Sequence, residues 1–371
     1  MSIFNAGNFI GAGHVIDAGH LREGRMRRLL WFAVVVAVVG AGCGNFIFGA
    51  DPPDDPESVF ESFWQSYDRY YAHFDVKNVD WDQVYDDHRP RVGPDTTDEE
   101  LFEVLSDMII ELEDGHVYLV SDERRALSNS GIRSSRRDFD ADVVQNHYVD
   151  DVQKPTSGNE LWYGTIGGDV GYLRISTLSG GSGTGSNVSG WIEEVDTAVE
   201  ALADTEAMIV DVRNNSGGRA FNSKYVAGHF APDRRRFLMT RSRNGPAHED
   251  FSEPHYWYVE PHDKPAYDRP VVVLTNRNTF SAAEWLTLAL RQYDHVIHMG
   301  KQTGGGLAMF LPRQLPNGWM HTVSVQDTRG PQGRSFERIG VPPQQHLENG
   351  AEEIDRGQDA MLDEAVEFLM Q

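Results

Sequence analysis

The sequence predicts an α/β protein with a small helical domain near its N-terminus. Between residues 56 and 113, apolar side chains recur every three to four positions, which is the period of helices with one buried face. From residue 170 onward, short apolar segments typical of buried strands alternate with segments of helical period. Such alternation predicts β/α units joined by crossover connections.

The composition is that of a globular protein and excludes one class of partner. The 371 residues are 40% hydrophobic and carry a formal net charge of -24. A nucleic-acid-binding surface needs clustered Lys and Arg to displace counterions. We therefore expect no nucleic-acid partner, and we interpret the acidity as a solvated surface.

The N-terminus has the pattern of an export signal. Three arginines between residues 25 and 28 precede an apolar run over 29–39, and small residues lead into Cys43. Cys43 is the single cysteine, and its place resembles that of the lipid-bearing first residue of a bacterial lipoprotein. We predict a signal segment over 1–43, with Met26 as an alternative start, and a periplasmic or otherwise extracytoplasmic chain tethered to the membrane. An uncleaved signal anchor is the alternative, because apolar residues continue past Cys43.

A linker over 44–55 is expected to precede a helical domain over 56–116. Asp55 has the character of an N-cap, and Pro56 suits the first turn of a helix. The aromatic face of this first helix extends to Phe74. These aromatic residues are interpreted as core.

Two further helices complete the predicted helical domain. One covers residues 81–88, and the next begins at a capping box formed by Thr97 and Glu100. The domain ends at the motif Asp114-Gly115-His116.

The remainder, 117–371, is predicted to be the α/β domain. The stretch 121–160 is polar and weakly periodic, and no element is assigned to it. Strands are predicted over 117–120, 170–175, 208–212, 271–274 and near 295–298, and helices over 191–202, after Gly218 and over 281–291.

Two short segments are candidates for supporting groups of a catalytic site. His116 lies at a helix-to-strand junction, where it is either structural or a general base. The segment 211–218 runs from an apolar strand into Gly217 and Gly218. Paired glycines let backbone N–H groups face a substrate, as an oxyanion hole requires, but they also suit an ordinary strand-to-helix turn.

Ser281 is the candidate nucleophile. It follows a buried strand at the start of a helix, so its hydroxyl lies near the positive end of the helix dipole and the amide of Ala282 can face a developing oxyanion. Ser281 with Glu284 is equally the pattern of a capping box. Near the C-terminus, Glu337 precedes a Gly/Pro turn and by itself is typical of a solvated loop charge.

Together and in this order, these segments resemble the C-terminal processing peptidases, and in particular their tricorn-core branch. The similarity runs from about residue 56 to the C-terminus and includes a glycine-rich turn over 300–306. It implies a core of the crotonase and ClpP type. Matched residue by residue, it implies the following roles: Ser281 as nucleophile, His116 as base, Glu337 as the acidic member of the charge network, and Ala282 with Gly217 or Gly218 as oxyanion donors.

The resemblance also offers a lysine as the base, because the processing-peptidase branch uses a Ser/Lys dyad. The lysine of that branch matches Gly306 here, and Lys301 lies earlier in the same turn. We therefore favour His116, since a histidine transfers protons near neutral pH without the burial that a lysine needs. Gly115 stands where the tricorn core has a serine, and the interval between His116 and residue 171 is too short for a PDZ domain.

The sequence thus predicts a serine peptidase that hydrolyses polypeptides through an acyl-enzyme. Neither a metal nor an organic cofactor is expected, because no cysteine cluster or HExxH-like spacing occurs. Two alternatives remain: a non-catalytic binding protein resembling the retinoid-binding relatives of this fold, and an acyl-CoA enzyme of the crotonase type. A large apolar cavity with Ser281 pointing away favours the former, and a basic phosphate site favours the latter.

Overall fold

The structure is a computed structural model that describes residues 52–128, 138–154, 160–180 and 188–371. The predicted signal segment 1–43 with Cys43, and most of the predicted linker 44–55, lie outside the described residues. Within these described ranges, no helix is long and apolar enough to span a bilayer. Residues Pro53–Gln371 form one compact unit.

The first part of this unit is helical, as predicted, and its helices begin at the expected caps. Asp55 Oδ1 accepts a hydrogen bond from Ser58 N at 3.0 Å, and Thr97 and Glu100 form a reciprocal capping box. The helices are α1 (Pro56–Tyr70), α2 (Phe74–Lys77), α3 (Trp81–His88) with a 3-10 turn after it (Arg89–Arg91), and α4 (Asp98–Ile110).

The expectation of one continuous helix as far as Phe74 was wrong. The backbone becomes extended at Tyr71, with φ -70° and ψ 131°. The amide of Ala72 then donates to Ser324 O at 2.9 Å, so a tertiary hydrogen bond replaces the next helical one. A separate short helix starts at Phe74.

A four-stranded antiparallel sheet packs against α1 and α4. Its order is β11-β12-β1-β2, with β1 (Tyr118–Val120), β2 (Arg125–Leu127), β11 (Phe310–Gln314) and β12 (Met320–Ser324). One face of the sheet joins the helices in an apolar core that includes Leu119 and Val323. The predicted boundary between 56–116 and 117–371 stays a prediction.

A seven-stranded sheet forms the centre of the rest of this unit. Its order is β14-β10-β9-β6-β5-β4-β3, with β3 (Asp150–Gln153), β4 (Leu161–Ile166), β5 (Val170–Ile175), β6 (Ala207–Asp211), β9 (Val271–Thr275), β10 (Val296–Gly300) and β14 (Gln345–His346). Neighbouring strands from β5 to β14 are parallel, whereas β3 and β4 are antiparallel. Every residue of β5, β6 and β9 is buried, as expected for parallel strands covered on both faces.

Helices cover both faces of this sheet. They are α5 (Ala141–His147), α6 (Val188–Ala201), α7 (Ala220–Gly228), α8 (Ala282–Leu290), α9 (Ala351–Asp355) and α10 (Ala360–Leu369). Alternate strand residues enter different cores: Val273 packs in the core that contains residues of α6, α7 and α8, whereas Val272 packs with residues of α5 and α10. A third sheet, of order β13-β7-β8, contains β7 (Arg235–Ser242), β8 (His255–Val259) and β13 (Gln326–Arg329).

The predicted α/β class is confirmed. The predicted strands over 117–120, 170–175, 208–212, 271–274 and near 295–298 correspond to β1, β5, β6, β9 and β10. The stretch 121–160, for which no element was predicted, contains β2, α5 and β3.

Candidate active site

Ser281 lies in a strained turn between the parallel strand β9 and helix α8. Its backbone has φ 57° and ψ -123°, a left-handed conformation that costs a residue with a side chain about 1–3 kcal/mol. The surrounding structure holds it there: Ser281 N donates to Glu284 Oε2 at 3.0 Å, and Phe280 N donates to Asn215 O at 2.9 Å. Strain of this kind is often stored at functional sites.

The side chain of Ser281 faces His116. His116 Nε2 and Ser281 Oγ are 3.0 Å apart, within hydrogen-bond distance. The two residues are 165 positions apart in sequence and are brought together by the fold. A nucleophilic oxygen next to a ring nitrogen is the arrangement that proton abstraction by a general base requires.

His116 is held by its backbone and by aromatic packing. Its amide donates to Asp114 Oδ1 at 2.9 Å, and its carbonyl accepts from Thr322 Oγ1 at 2.6 Å. The imidazole ring contacts Phe280 and Phe310, with ring centroids 4.7 Å and 5.1 Å away. These contacts fix the ring next to Ser281.

The capping pattern at Ser281 is present in altered form. The amide of Glu284 donates to the backbone oxygen of Ser281 at 2.9 Å, while the hydroxyl of Ser281 points to His116. Glu284 supplies the reciprocal bond to Ser281 N. The capping interpretation therefore accounts for Glu284 and leaves the Ser281 hydroxyl to its contact with His116.

Glu284 does more than cap the helix, which the sequence reasoning missed. Its fully buried carboxylate also accepts hydrogen bonds from Thr303 Oγ1 at 2.5 Å, Gly305 N at 2.7 Å and Gly306 N at 2.9 Å. It thereby joins the Ser281 turn to the glycine-rich turn. Burial raises the pKa of Glu284 to about 7, although these hydrogen bonds oppose the rise.

The glycine pair lies directly against the turn that contains Ser281. Gly217 and Gly218 have φ of 101° and 145°, and a Cβ on Gly217 would lie 2.7 Å from Ser281 Cβ and 2.9 Å from Ala282 N. The Gly217 amide already donates to Asn215 Oδ1 at 2.8 Å. No hydrogen bond within the described part of the chain engages the amides of Gly218 or Ala282. Two N–H groups near Ser281 thus have no hydrogen-bond acceptor among the described residues.

Glu337 is buried and is not the solvated loop charge that its local sequence suggests. It is not among the described residues that line the cleft around Ser281. Its Oε2 accepts from Leu307 N at 3.0 Å, while its Oε1 lies 3.8 Å from Lys77 Nζ and 3.9 Å from His73 Nδ1. Burial raises the pKa of Glu337, and the nearby His73 and Lys77 oppose this.

Glu337 therefore belongs to a buried charge cluster that also contains His73, Lys77 and Asp114. Lys77 Nζ is 3.5 Å from Asp114 Oδ2 and donates to Glu113 O at 3.0 Å. Burial disfavours the charged form of Asp114, but Lys77 and His73 hold the pKa of this carboxyl well below its usual range. Sequence reasoning missed His73 and Lys77. The one signal that could have indicated them was the presence of two ionisable side chains within an otherwise aromatic segment.

The same cluster is where a metal ion would be sought. Among the described residues, His73, Asp114 and Glu337 bring their donor atoms within 4.8 Å of one another. The ammonium group of Lys77 lies within 4 Å of both carboxylates and supplies the positive charge that a cation would otherwise bring. We interpret the group as a network of ion pairs.

The lysine alternative for the base fits the structure poorly. Lys301 Nζ pairs with Asp138 Oδ2 at 3.2 Å, and Lys301 does not line the cleft among the described residues. At Gly306, a Cβ would lie 2.1 Å from Phe280 Cζ, so the phenyl ring fills the space into which a lysine there would project. A Cβ at Gly115 would meet the same ring at 2.8 Å, so a serine at that position would collide with Phe280 as placed here.

The pair of Ser281 and His116 opens into a cleft of about 780 Å³. Its walls are formed by the glycine pair, by Phe280 and by side chains of the four-stranded sheet. This volume lies within the range of ordinary ligand-binding clefts, about 300–1,000 Å³.

Two segments of the chain match known protein families. Residues 169–347 match Peptidase family S41, and residues 52–110 match the Tricorn protease C1 domain. The first segment contains Ser281, the glycine pair and Glu337, and the second contains His73 and Lys77.

Individual relatives agree with this assignment. The chain is 30% identical over 185 residues to a carboxyl-terminal-processing protease of Synechocystis sp., covering 49% of this chain and 39% of the relative. It is 28% identical over 178 residues to the carboxy-terminal processing protease CtpB of Bacillus subtilis, covering 44% and 34% of the two chains. The chain thus spans well under half the length of these curated relatives.

A solved structure from Parabacteroides merdae, described as that of a candidate peptidase, is similar over nearly its whole length. The TM-score is 0.76 at 28% identity, and the match covers 86% of this chain and 98% of the other. The α/β core and the helical part are therefore shared as one arrangement. On these matches, residues 169–347 form a Peptidase family S41 domain, and a Tricorn protease C1 segment over residues 52–110 precedes it.

Proposed function

We propose that this protein is a serine peptidase in which Ser281 is the nucleophile and His116 the general base. The observation that carries the proposal is the 3.0 Å contact between His116 Nε2 and Ser281 Oγ, made at a strained turn inside a cleft. The Peptidase family S41 domain makes a polypeptide the expected substrate.

In the proposed reaction, His116 Nε2 takes the proton of the Ser281 hydroxyl as Oγ attacks the peptide carbonyl carbon. The oxyanion that forms accepts hydrogen bonds from the amides of Ala282 and Gly218. The protonated imidazole then gives its proton to the leaving amine, which breaks the C–N bond and leaves an acyl-enzyme. Water, deprotonated by His116, releases the acyl group and restores Ser281.

The role proposed for Gly217 is steric. Its amide is engaged by Asn215, and its Cα lies against the Ser281 turn, where any side chain would collide. Gly217 therefore allows the close approach, and Gly218 is the glycine that we propose as donor.

Glu337 is proposed to act at one remove from the reaction. Its carboxylate belongs to the charge cluster with Asp114, whose other oxygen holds the His116 amide. We infer that this cluster positions His116 and that Glu337 exchanges no proton with the substrate.

Kinetics of single and double variants test these roles. His116→Ala and Ser281→Ala should each abolish most turnover, and the double variant should be little worse, because members of a catalytic unit are not additive. Lys301→Ala should retain activity, and Glu337→Gln should lose less than either core variant. A folded His116→Ala protein with near-full activity, beside an inactive Lys301→Ala protein, would overturn the assignment.

The two alternative functions receive less support. A binding protein on this fold was expected to have Ser281 capped and turned away, whereas the hydroxyl contacts His116. An acyl-CoA enzyme needs cations for nucleotide phosphates. Among the described residues that line the cleft, Arg125 is the only lysine or arginine.

We further propose that the chain is exported and tethered through a lipid on Cys43. The arginines, the apolar run over 29–39 and the small residues before Cys43 support this proposal. Mass spectrometry of the membrane fraction should find a mature protein that begins at lipidated Cys43. An intact N-terminus that retains residues 29–39 would instead indicate an uncleaved anchor.

A further inference from the structure

The four-stranded sheet separates the helical core from the cleft. Successive residues of a strand point to opposite faces, and the register pairs Tyr118 with Leu127 and Leu119 with Ala126. Leu119 and Ala126 pack in the helical core, whereas Tyr118 and Leu127 line the cleft. Arg125, two positions before Leu127, lies on the cleft side with them.

Arg125 gives this wall a positive charge. It is the only permanently charged residue among the described residues that line the cleft, and no Asp or Glu is among them. Its guanidinium carbon lies 4.9 Å from the centre of the Tyr118 ring, a cation–π contact that holds the group against this wall of the cleft.

Arg124, the residue before Arg125, has a different partner. Arg124 forms an ion pair with Glu99 at the start of α4 and lies outside the cleft. No ion pair within the described residues involves Arg125. The two adjacent arginines thus differ in their partners: one is paired with a carboxylate of the chain, and the other faces the cleft.

The charge of the whole chain makes a cationic cleft selective. With a net charge of -24, the surface in general repels anionic peptides. An arginine beside the reacting groups offers a local attraction, and its planar donors match the two oxygens of a carboxylate.

We propose that Arg125 is a specificity residue that binds a carboxylate of the substrate within the cleft. This inference rests on the proposed peptidase function and deepens it. The carboxylate comes either from an Asp or Glu side chain near the scissile bond or from the free C-terminus of a peptide. Tyr118, Leu127 and Phe310 supply the apolar wall for the adjoining substrate residues.

Four peptides of one sequence separate the two sources. They contain either Glu or Gln near the scissile bond, and each is made with a free or an amidated C-terminus. The full chain should cleave the preferred carboxylate form with a kcat/KM about tenfold higher than its neutral counterpart, as expected for a charge-assisted hydrogen bond. A difference between Glu and Gln identifies a side-chain carboxylate, and a difference between acid and amide identifies the C-terminus.

Variants of the two arginines then test the residue. Arg125→Gln should abolish the discrimination, and the matched control Arg124→Gln should leave it unchanged. Where the four peptides identify a side-chain carboxylate, Arg125→Glu should favour a peptide with Lys in place of Glu. The wild-type preference should also weaken as salt screens the charges. Equal cleavage of all four peptides by the wild type, or unchanged discrimination in Arg125→Gln, would overturn the inference.

Labelling by a neutral fluorophosphonate keeps this test separate from that of the proposed function. Arg125→Gln should react at the wild-type rate, because the probe carries no carboxylate. Slow labelling of Arg125→Gln would overturn the inference, since Arg125 would then serve the catalytic groups. No Ser281-dependent labelling or cleavage in the wild type would refute the proposed function itself, and the inference with it.

Discussion

The packing of Phe280 between glycines allows a specific prediction for Gly306→Ala. The new Cβ would lie 2.1 Å from Phe280 Cζ, whereas ordinary contact begins at 3.4 Å, so the ring must retreat by about 1.3 Å. The ring cannot retreat freely, because it also lies close to Gly115 and Gly304, where an added Cβ would meet it at 2.8 Å and 2.6 Å, and it packs against the imidazole of His116. The strain therefore falls on His116, the proposed base, and on Phe280 itself, which directly precedes Ser281.

We expect Gly306→Ala to lose about 1–3 kcal/mol of unfolding free energy, the usual cost of overpacking. Since a misplacement of about 1 Å in a catalytic group costs about 10²-fold in rate, turnover should fall by a similar factor. Urea unfolding measures the first quantity and steady-state peptide hydrolysis the second. Phe280→Leu in the Gly306→Ala background should recover part of the lost stability, because the smaller side chain leaves room for the methyl group.

Gly93→Ala is the matched control, because a Cβ there would meet nothing within 4 Å. It should change stability by no more than about 0.5 kcal/mol and leave the rate unchanged. A Gly306→Ala protein with wild-type stability and turnover would show that the Phe280 ring does not fill the lysine position as described.

Three further predictions concern the groups around Ser281. Ser281→Gly and Ser281→Ala should both be inactive. Urea unfolding should nevertheless find the glycine variant more stable by about 1 kcal/mol, because glycine accepts φ 57° without strain. Equal stabilities of the two variants would contradict the backbone strain at Ser281. Burial raises the pKa of Glu284 to about 7, above its unfolded value of 4.5. The protonated carboxyl therefore stabilises the fold fully below about pH 4.5, and up to about 3 kcal/mol of this stability is lost as the pH rises to about 7. Glu284→Gln should remove that pH dependence from the unfolding curve, and an unchanged curve would show that Glu284 does not titrate there. Asp114→Asn should cost about 3–5 kcal/mol, because it removes one of the two carboxylates that pair with the buried Lys77 and His73. Since the pKa of Asp114 is depressed, the loss should be seen at neutral pH and should shrink in acid, and a variant as stable as the wild type would refute the cluster.

Much of the α/β core could be predicted, because its parallel strands are buried on both faces. Strands such as β6 and β9 are therefore continuous apolar runs between turn residues. The missed strands lack this pattern. β11 lies at the edge of the four-stranded sheet, contains Pro312 and exposes Phe310 and Leu311, so nothing in its local sequence distinguishes it from a loop.

The candidate site was predictable only in part. Ser281, His116 and the glycine pair lie in local motifs, so their order along the chain was informative. The partners of Glu284 and Glu337 come from segments distant in sequence, such as the glycine-rich turn and helix α2. Only the folded chain brings those charges together, and local sequence therefore made Glu284 a cap and Glu337 a surface charge.

The central claim is that His116 activates Ser281 for attack on a carbonyl, and fluorophosphonate labelling followed by peptide mapping tests it most directly. The wild-type protein should become labelled on Ser281 alone, His116→Ala should label far more slowly, and Lys301→Ala should label at close to the wild-type rate. Labelling at another serine, or equal labelling of the folded wild type and His116→Ala, would contradict the account.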